Sequence, residues 1–164
     1  TYLQASTGIH KIAVQSAQQM YDSCAQVFDT SDIIIMSAAV ADYTPTDPAT
    51  EKIKKKAEEF SIQLKKTTDI LGTLGTRKTA KQTLIGFALE TNNELAHAQD
   101  KLVRKNADFI VLNSMQDKGA GFGTDTNKVT ILSRQGDINT FELKSKEEVA
   151  KDICKIVLAH QQSL

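Results

Sequence analysis

The residues best suited to chemistry lie in one stretch, Ile33 to Lys55, which reads IIIMSAAVADYTPTDPATEKIKK. An apolar, β-branched run, Ile33-Ile34-Ile35, breaks into the small residues Ser37, Ala38 and Ala39. One carboxylate, Asp42, follows. A turn marked by Pro45 and Pro48 then leads to the lysines Lys52, Lys54, Lys55 and Lys56. A buried strand that empties into small residues, an acid and then lysines suits a phosphate-bearing ligand. In open α/β sheets ligands sit beyond the carboxyl ends of parallel strands. Small side chains let a ligand approach the backbone, and lysines balance phosphate charge. The same residue types also describe a core strand followed by a solvated, charged loop.

The bulk composition narrows the classes. The chain has 164 residues, enough for one domain with a core. Hydrophobic residues make up 40% and charged residues 24%, the balance of a soluble globular protein. Basic and acidic residues number 20 each, so there is no general pull toward nucleic acid or an acidic membrane, and a cationic function must be local. No apolar stretch approaches the roughly 18 residues of a membrane helix, and the first residues show no signal-peptide pattern. Cys24 and Cys154 each fall in a predicted helix without metal-like spacing; free thiols are favoured, and a disulfide between them stays open. His10, His97 and His160 are scattered, with no zinc spacing. There is no Gly-x-Ser-x-Gly elbow, Walker A loop or Gly-x-Gly-x-x-Gly turn.

These residues need elements to position them. Ile9 to Val14 alternates as a short strand, and Ser16 caps a helix to about Val27 with Ala17, Met20, Tyr21 and Cys24 on one face. Ile33 to Ala39 is a strand whose apolar run implies burial on both faces. Glu51–Lys56 and Phe60–Lys66 alternate and are expected to pair as a hairpin with one wet face. Thr68-Asp69 opens a short helix through Ile70, Leu71 and Leu74, with either residue as its cap. Thr83–Leu89 and Asp108–Leu112 are buried strands, separated by a helix from Glu94 to about Lys105 that an Asn caps. After the glycine-rich loop Gly119–Gly123, Lys128–Leu132 and Asn139–Leu143 form a second hairpin around Gln135-Gly136-Asp137. An amphipathic helix, Lys144–His160, closes the chain, with Val149, Ile153, Ile156 and Val157 inward. Buried strands alternating with helices predict an α/β fold: a parallel sheet covered on both faces, with the hairpins as additions, in one domain.

Five motifs occur in order: Ala38-Ala39-Val40-Ala41-Asp42-Tyr43; Glu51-Lys52-Ile53-Lys54-Lys55; Gly86-Phe87-Ala88-Leu89-Glu90-Thr91-Asn92; Lys101-x-x-x-Lys105-Asn106-x-Asp108; and Gly121-Phe122-Gly123-x-Asp125-x-Asn127. Together the chain resembles phosphopantothenate–cysteine ligase, the second half of the bacterial bifunctional coenzyme A biosynthesis protein, from about Ile12 to the final helix. The resemblance implies a Rossmann-like three-layer parallel sheet in a cytoplasmic homodimer. It implies CTP and magnesium, with 4′-phosphopantothenate and L-cysteine as the molecules joined. Eukaryotic members use ATP, so an ATP-dependent relative is one alternative. A nucleotide-binding or dimerisation module without turnover is another.

The resemblance also implies roles for individual residues. Asp42, Lys52, the segment Thr68, Asp69, Ile70 and Leu71, and Phe87, Lys101 and Lys105 would meet the nucleotide, with Lys52 on a mobile flap. Ala38 and Ala39 would line the acyl-phosphate pocket, and with Lys52 they are the catalytic candidates. Thr68 stands where the family often has proline, a change that backbone contacts survive. Read without the resemblance, Lys101 and Lys105 are one turn apart near a helix C-terminus, where the dipole favours lysine anyway. Phe87 reads equally as core, and Asp42 as a turn cap. The family's amino-terminal half-sheet, with a glycine-rich segment and an Asn-x-Ser-Ser-Gly-type segment, has no counterpart here. The chain is therefore expected to be the carboxyl-terminal portion of a ligase domain that lacks its first strands. This portion is expected not to complete ligation by itself. The flavin-dependent decarboxylase half is absent too, so no flavin is expected.

Overall fold

A computed structural model describes residues 5–54, 60–90, 92–114 and 123–162. In chain order the elements are α1 (Ala17–Phe28), β1 (Ile33–Met36), β2 (Tyr43–Pro45), β3 (Leu64–Lys66), α2 (Ile70–Arg77), β4 (Thr83–Glu90), α3 (Glu94–Arg104), β5 (Phe109–Ser114), β6 (Thr126–Asn127), β7 (Val129–Ser133), β8 (Ile138–Thr140), β9 (Lys144–Ser145) and α4 (Lys146–Gln161). They fall into two compact units. Thr30–Ala38 with Ile70–Leu164 forms the larger, and Thr1–Asp29 with Ala39–Asp69 the smaller.

The larger unit is built on a five-stranded sheet in the order β1-β4-β5-β7-β8. β1, β4 and β5 are parallel; β7 joins β5 antiparallel, and β8 closes on β7. The second expected hairpin is therefore not an addition outside the core. Its first strand, β7, buries Val129, Ile131 and Leu132 in the same sheet. Gly136, at φ +98°, supplies the left-handed turn residue between β7 and β8.

Strand period separates the two faces of this sheet. Ala88, Ile110, Leu112 and Leu132 pack with Ala98 and Leu102 of α3, and with Ala107. Ile85, Phe109, Val111, Val129 and Ile131 pack with Val149, Ile153 and Val157 of α4. This is the expected helix–sheet–helix layering, reached with a mixed sheet. β5, with Ile110 and Val111 fully buried, is its centre. β1 lies at the sheet edge and is only half-buried, with Ile35 44% exposed. The expected burial on both faces is not met, because β4 alone flanks it.

Capping explains the helix ends. Ser145 opens α4 in a capping box with Glu148, and Gln161 Nε2 donates to Thr83 Oγ1 at 2.5 Å near its other end. Asn93 precedes α3 as expected, but in a left-handed conformation and without a side-chain cap bond.

In the smaller unit, Ser16 caps α1 in a reciprocal box with Gln19, as the sequence predicts. Ile9–Val14 is irregular rather than a strand, with Ile9, Ile12 and Val14 exposed. Alternation alone makes no strand where no neighbour completes the ladder. The expected pairing of Glu51–Lys56 with Phe60–Lys66 is also replaced. Leu64–Lys66 pairs antiparallel with Tyr43–Pro45 instead. Glu51 to Lys54 is irregular, and residues 55–59 lie outside the described residues, as does the loop at 115–122. Alternation specifies which side of a strand is wet, not which segment lies beside it.

Candidate functional site

The site residues of the larger unit gather around Gly86 and Phe87 of β4. A side chain at Gly86 has no room: its Cβ would stand 2.6 Å from a Leu71 methyl and 3.0 Å from Ile110. Leu71, in the first turn of α2, thus fills the space over Gly86. Ile70 beside it is buried. Both side chains are used in packing, so what Ile70 and Leu71 offer a ligand is backbone.

Phe87, half-buried, packs against the α4-side cluster. Its carbonyl, one residue past the last β1 partner, accepts a hydrogen bond from Lys101 Nζ at 2.8 Å. The Lys101 ammonium is therefore held against β4 rather than left at the end of a solvated stem. Lys105 ends α3 one turn later, half-buried. Its carbonyl approaches α2 so closely that a Cβ on Gly75 would lie 1.9 Å from it. The structure thus brings Leu71, Phe87, Lys101 and Lys105 into one neighbourhood spanning α2, β4 and α3.

The base of the same strands is fixed by a buried ion pair. Lys78 Nζ bonds Asp108 Oδ1, with both side chains only 11% exposed. The other Asp108 oxygen accepts the Leu84 N–H at 2.7 Å. Asp108, part of the fourth motif, works here as a girder between β4 and β5.

The remaining candidates are placed as follows. Ala38 follows β1, exposed, in the larger unit. Ala39, Asp42, Lys52, Thr68 and Asp69 belong to the smaller unit. There the Thr67 N–H donates to the Asp42 carbonyl at 2.9 Å, and Thr67 Oγ1 to the Ala41 carbonyl at 2.7 Å. Two segments far apart in sequence, Ala41-Asp42 and Thr67-Thr68, are thereby stitched together. Asp69 stands immediately before α2. Lys52 is exposed on irregular chain, not on a strand.

Some polar groups at the carboxyl ends of β4 and β5 were not singled out from sequence. Glu90 Oε2 lies 3.4 Å from His97 Nδ1, and Asn127 Nδ2 donates to Asn113 Oδ1 at 3.0 Å. Glu90 and Asn127 stand in the third and fifth motifs without a role assigned to them, and His97 and Asn113 are marked by position alone, near strand ends where such sheets bind ligands. Among the described residues no three His, Cys, Asp or Glu side chains converge as a metal cage. No helix among them is long and apolar enough to cross a membrane. Cys24 and Cys154 are free thiols, and burial raises the Cys24 pKa.

Residues 1–160 match the family model of the DNA/pantothenate metabolism flavoprotein C-terminal domain. The chain belongs to this family. Relatives of this flavoprotein C-terminal domain include a cysteine/cysteine sulfinic acid decarboxylase from an unknown prokaryotic organism, 47% identical over 96% of this chain and 44% of the relative. The coenzyme A biosynthesis bifunctional protein CoaBC of Bacillus subtilis (strain 168) is 43% identical over 90% of this chain and 36% of its own length. The chain thus spans less than half of these relatives. The crystal structure of the C-terminal domain of a CoaBC protein superposes with a TM-score of 0.80 at 38% identity, covering 100% of this chain and 74% of that one. The α/β architecture of the flavoprotein C-terminal domain is therefore shared.

Proposed function

We propose that the chain is the nucleotide-handling portion of a phosphopantothenate–cysteine ligase. In this reading the carboxylate of 4′-phosphopantothenate attacks the α-phosphate of CTP, giving an acyl-cytidylate and pyrophosphate. The amine of L-cysteine then displaces CMP and forms the amide of 4′-phosphopantothenoylcysteine. No protein nucleophile is needed, so the residues serve by positioning and by charge stabilisation. Lys52, Lys101 and Lys105 face phosphate, Asp42 and the Thr68–Leu71 segment hold the nucleotide, and Ala38 and Ala39 leave room for the acyl phosphate. Magnesium is held largely by substrate phosphates and water in sites of this kind. That fits a chain whose described residues offer scattered carboxylates and several lysines.

The observation that carries this reading is the Lys101–Phe87 bond beside Leu71-filled Gly86. Three of the residues nominated by the resemblance, Leu71, Phe87 and Lys101, lie around one strand, which supports the reading. The reading includes a cytoplasmic homodimer, in a protein that also carries a decarboxylase half. The exposed outer strand β8 offers an edge on which a second copy could pair.

The deciding experiment mixes the protein with CTP, magnesium and 4′-phosphopantothenate and measures pyrophosphate, then adds L-cysteine and measures the amide. Release with ATP but not CTP would shift the reading to the ATP-dependent alternative. CTP protection against heat without any pyrophosphate would indicate a binding module. The 47% identity to a cysteine/cysteine sulfinic acid decarboxylase supports a second reading. Carbon dioxide from cysteine without nucleotide would favour it.

A further inference from the structure

We infer that Asn106 is a positioning residue for triphosphate recognition: one side chain ties the ends of α2 and α3 together and so sets where Lys101 and Lys105 stand. This rests on the nucleotide reading above.

The end of α3 requires a left-handed residue. Asn106 has φ +51°, its N–H donates to the Val103 carbonyl at 3.1 Å, and the Ala107 N–H donates to the Leu102 carbonyl at 3.1 Å. This is the Schellman pattern, completed by Leu102 and Ala107 in one apolar cluster. Glycine fits that position best, because it adopts the left-handed conformation without strain. Asparagine needs a further reason, and its amide supplies one. Asn106 Nδ2 donates to the Gly75 carbonyl at 2.7 Å. That carbonyl is among the last four of α2, which have no partner within their own helix. One residue therefore terminates α3 and satisfies α2.

The contact has no slack. A Cβ at Gly75 would meet the Lys105 carbonyl at 1.9 Å, so the two backbones touch where only glycine fits. One turn back along α2 from Gly75, Leu71 packs on Gly86; one turn back along α3 from Lys105, Lys101 donates to the Phe87 carbonyl. Both routes converge on adjacent residues of β4. The Asn106–Gly75 bond closes this frame at its far end. Loss of the bond frees α3 to turn about its axis, which displaces its lysines more than its own buried face.

The test uses the intact protein with Asn106→Gly, which keeps the left-handed cap and deletes the amide. CTP and CMP affinities are measured by calorimetry. CTP affinity is expected to fall by roughly tenfold or more, the scale of a misplaced contact group. CMP affinity should fall much less, because fewer phosphates are involved. In the ligation assay the KM for CTP should rise while that for L-cysteine stays unchanged. A merely structural role would lower affinity for both nucleotides together, and that result overturns the inference. So does wild-type CTP affinity in folded Asn106→Gly. If that variant does not fold, Asn106→Asp, which keeps the size and turns an acceptor toward the Gly75 carbonyl, is judged on the same ratio. Wild-type protein that fails to bind CTP overturns the nucleotide reading itself, and this inference with it.

Discussion

Lys101 Nζ donates to the main-chain carbonyl of Phe87 at 2.8 Å, so this lysine is part of the sheet's own bonding. Lys52, by contrast, is exposed on irregular chain. The two should therefore respond differently to truncation. Lys101→Met is expected to cost about 1.5–3 kcal/mol of stability, the range for a hydrogen bond from a charged donor. It should weaken CTP binding as well. Lys52→Ala should change stability by no more than about 0.5 kcal/mol while still weakening CTP binding. Denaturant melts beside nucleotide titrations check both. Unchanged CTP affinity in Lys52→Ala would remove Lys52 from the site.

Gly86 belongs to the third motif, yet its glycine is explained by packing. The Leu71 methyl that would lie 2.6 Å from a new Cβ leaves no space. Gly86→Ala should destabilise by about 1–3 kcal/mol, the usual cost of overfilling a core. Adding Leu71→Val should recover part of that loss, and chemical denaturation of both variants measures it. Additive losses would mean that the crowding lies elsewhere.

Local patterns carried much of the fold. β4 and β5 stand out as apolar runs, α4 as an amphipathic helix, and Ser16 as the cap of α1, because each depends on neighbours in sequence. The partner of Leu64–Lys66 was not legible, since Tyr43–Pro45 and Glu51–Lys56 both sit near it in the chain. The place of β7 in the central sheet was missed for a similar reason: its turn with β8 announces a hairpin, while its pairing with β5 is a long-range choice. Within the site, motif order nominated Phe87, Lys101 and Lys105. No pattern shows that Asn106 bonds a carbonyl 31 residues away, or that Gly75 must lack a side chain to admit Lys105.

The α4 capping box should show in the acid limb of stability. Glu148 is held below the usual carboxylate range, first by the Ser145 hydroxyl and then by the Ser145 backbone N–H. A carboxyl whose folded pKa is depressed contributes stability above its unfolded value, about 4.3 for Glu, and loses that contribution as pH falls through the folded value. Glu148→Ala should therefore lower Tm at pH 7, and the gap to wild type should close as the pH drops below 4. A gap of constant size across that range would mean that the charge of Glu148 plays no part.

The buried pair Lys78–Asp108 yields the sharpest stability prediction. Both side chains are 11% exposed, and Asp108 also accepts the Leu84 N–H at 2.7 Å. The Asp108 backbone binds on both sides too, its N–H to the Leu84 carbonyl and its carbonyl to the Arg134 N–H. Removing the carboxylate strands an ammonium and an amide in a poorly hydrated place. Asp108→Ala should cost about 3–5 kcal/mol, the range for breaking a buried pair from one side. Lys78→Met should cost less, because its aliphatic stem is replaced in kind and Asp108 keeps the Leu84 N–H. In the double variant Lys78→Met/Asp108→Asn no unpaired charge remains, and the amide oxygen still accepts from Leu84. Its loss should fall short of the summed single losses of Lys78→Met and Asp108→Asn by about 0.5–3 kcal/mol, the coupling expected of residues in contact. Urea unfolding of the four proteins closes the cycle. A coupling near zero would show that the two groups are held independently and that the pair does not tie the end of α2 to β5.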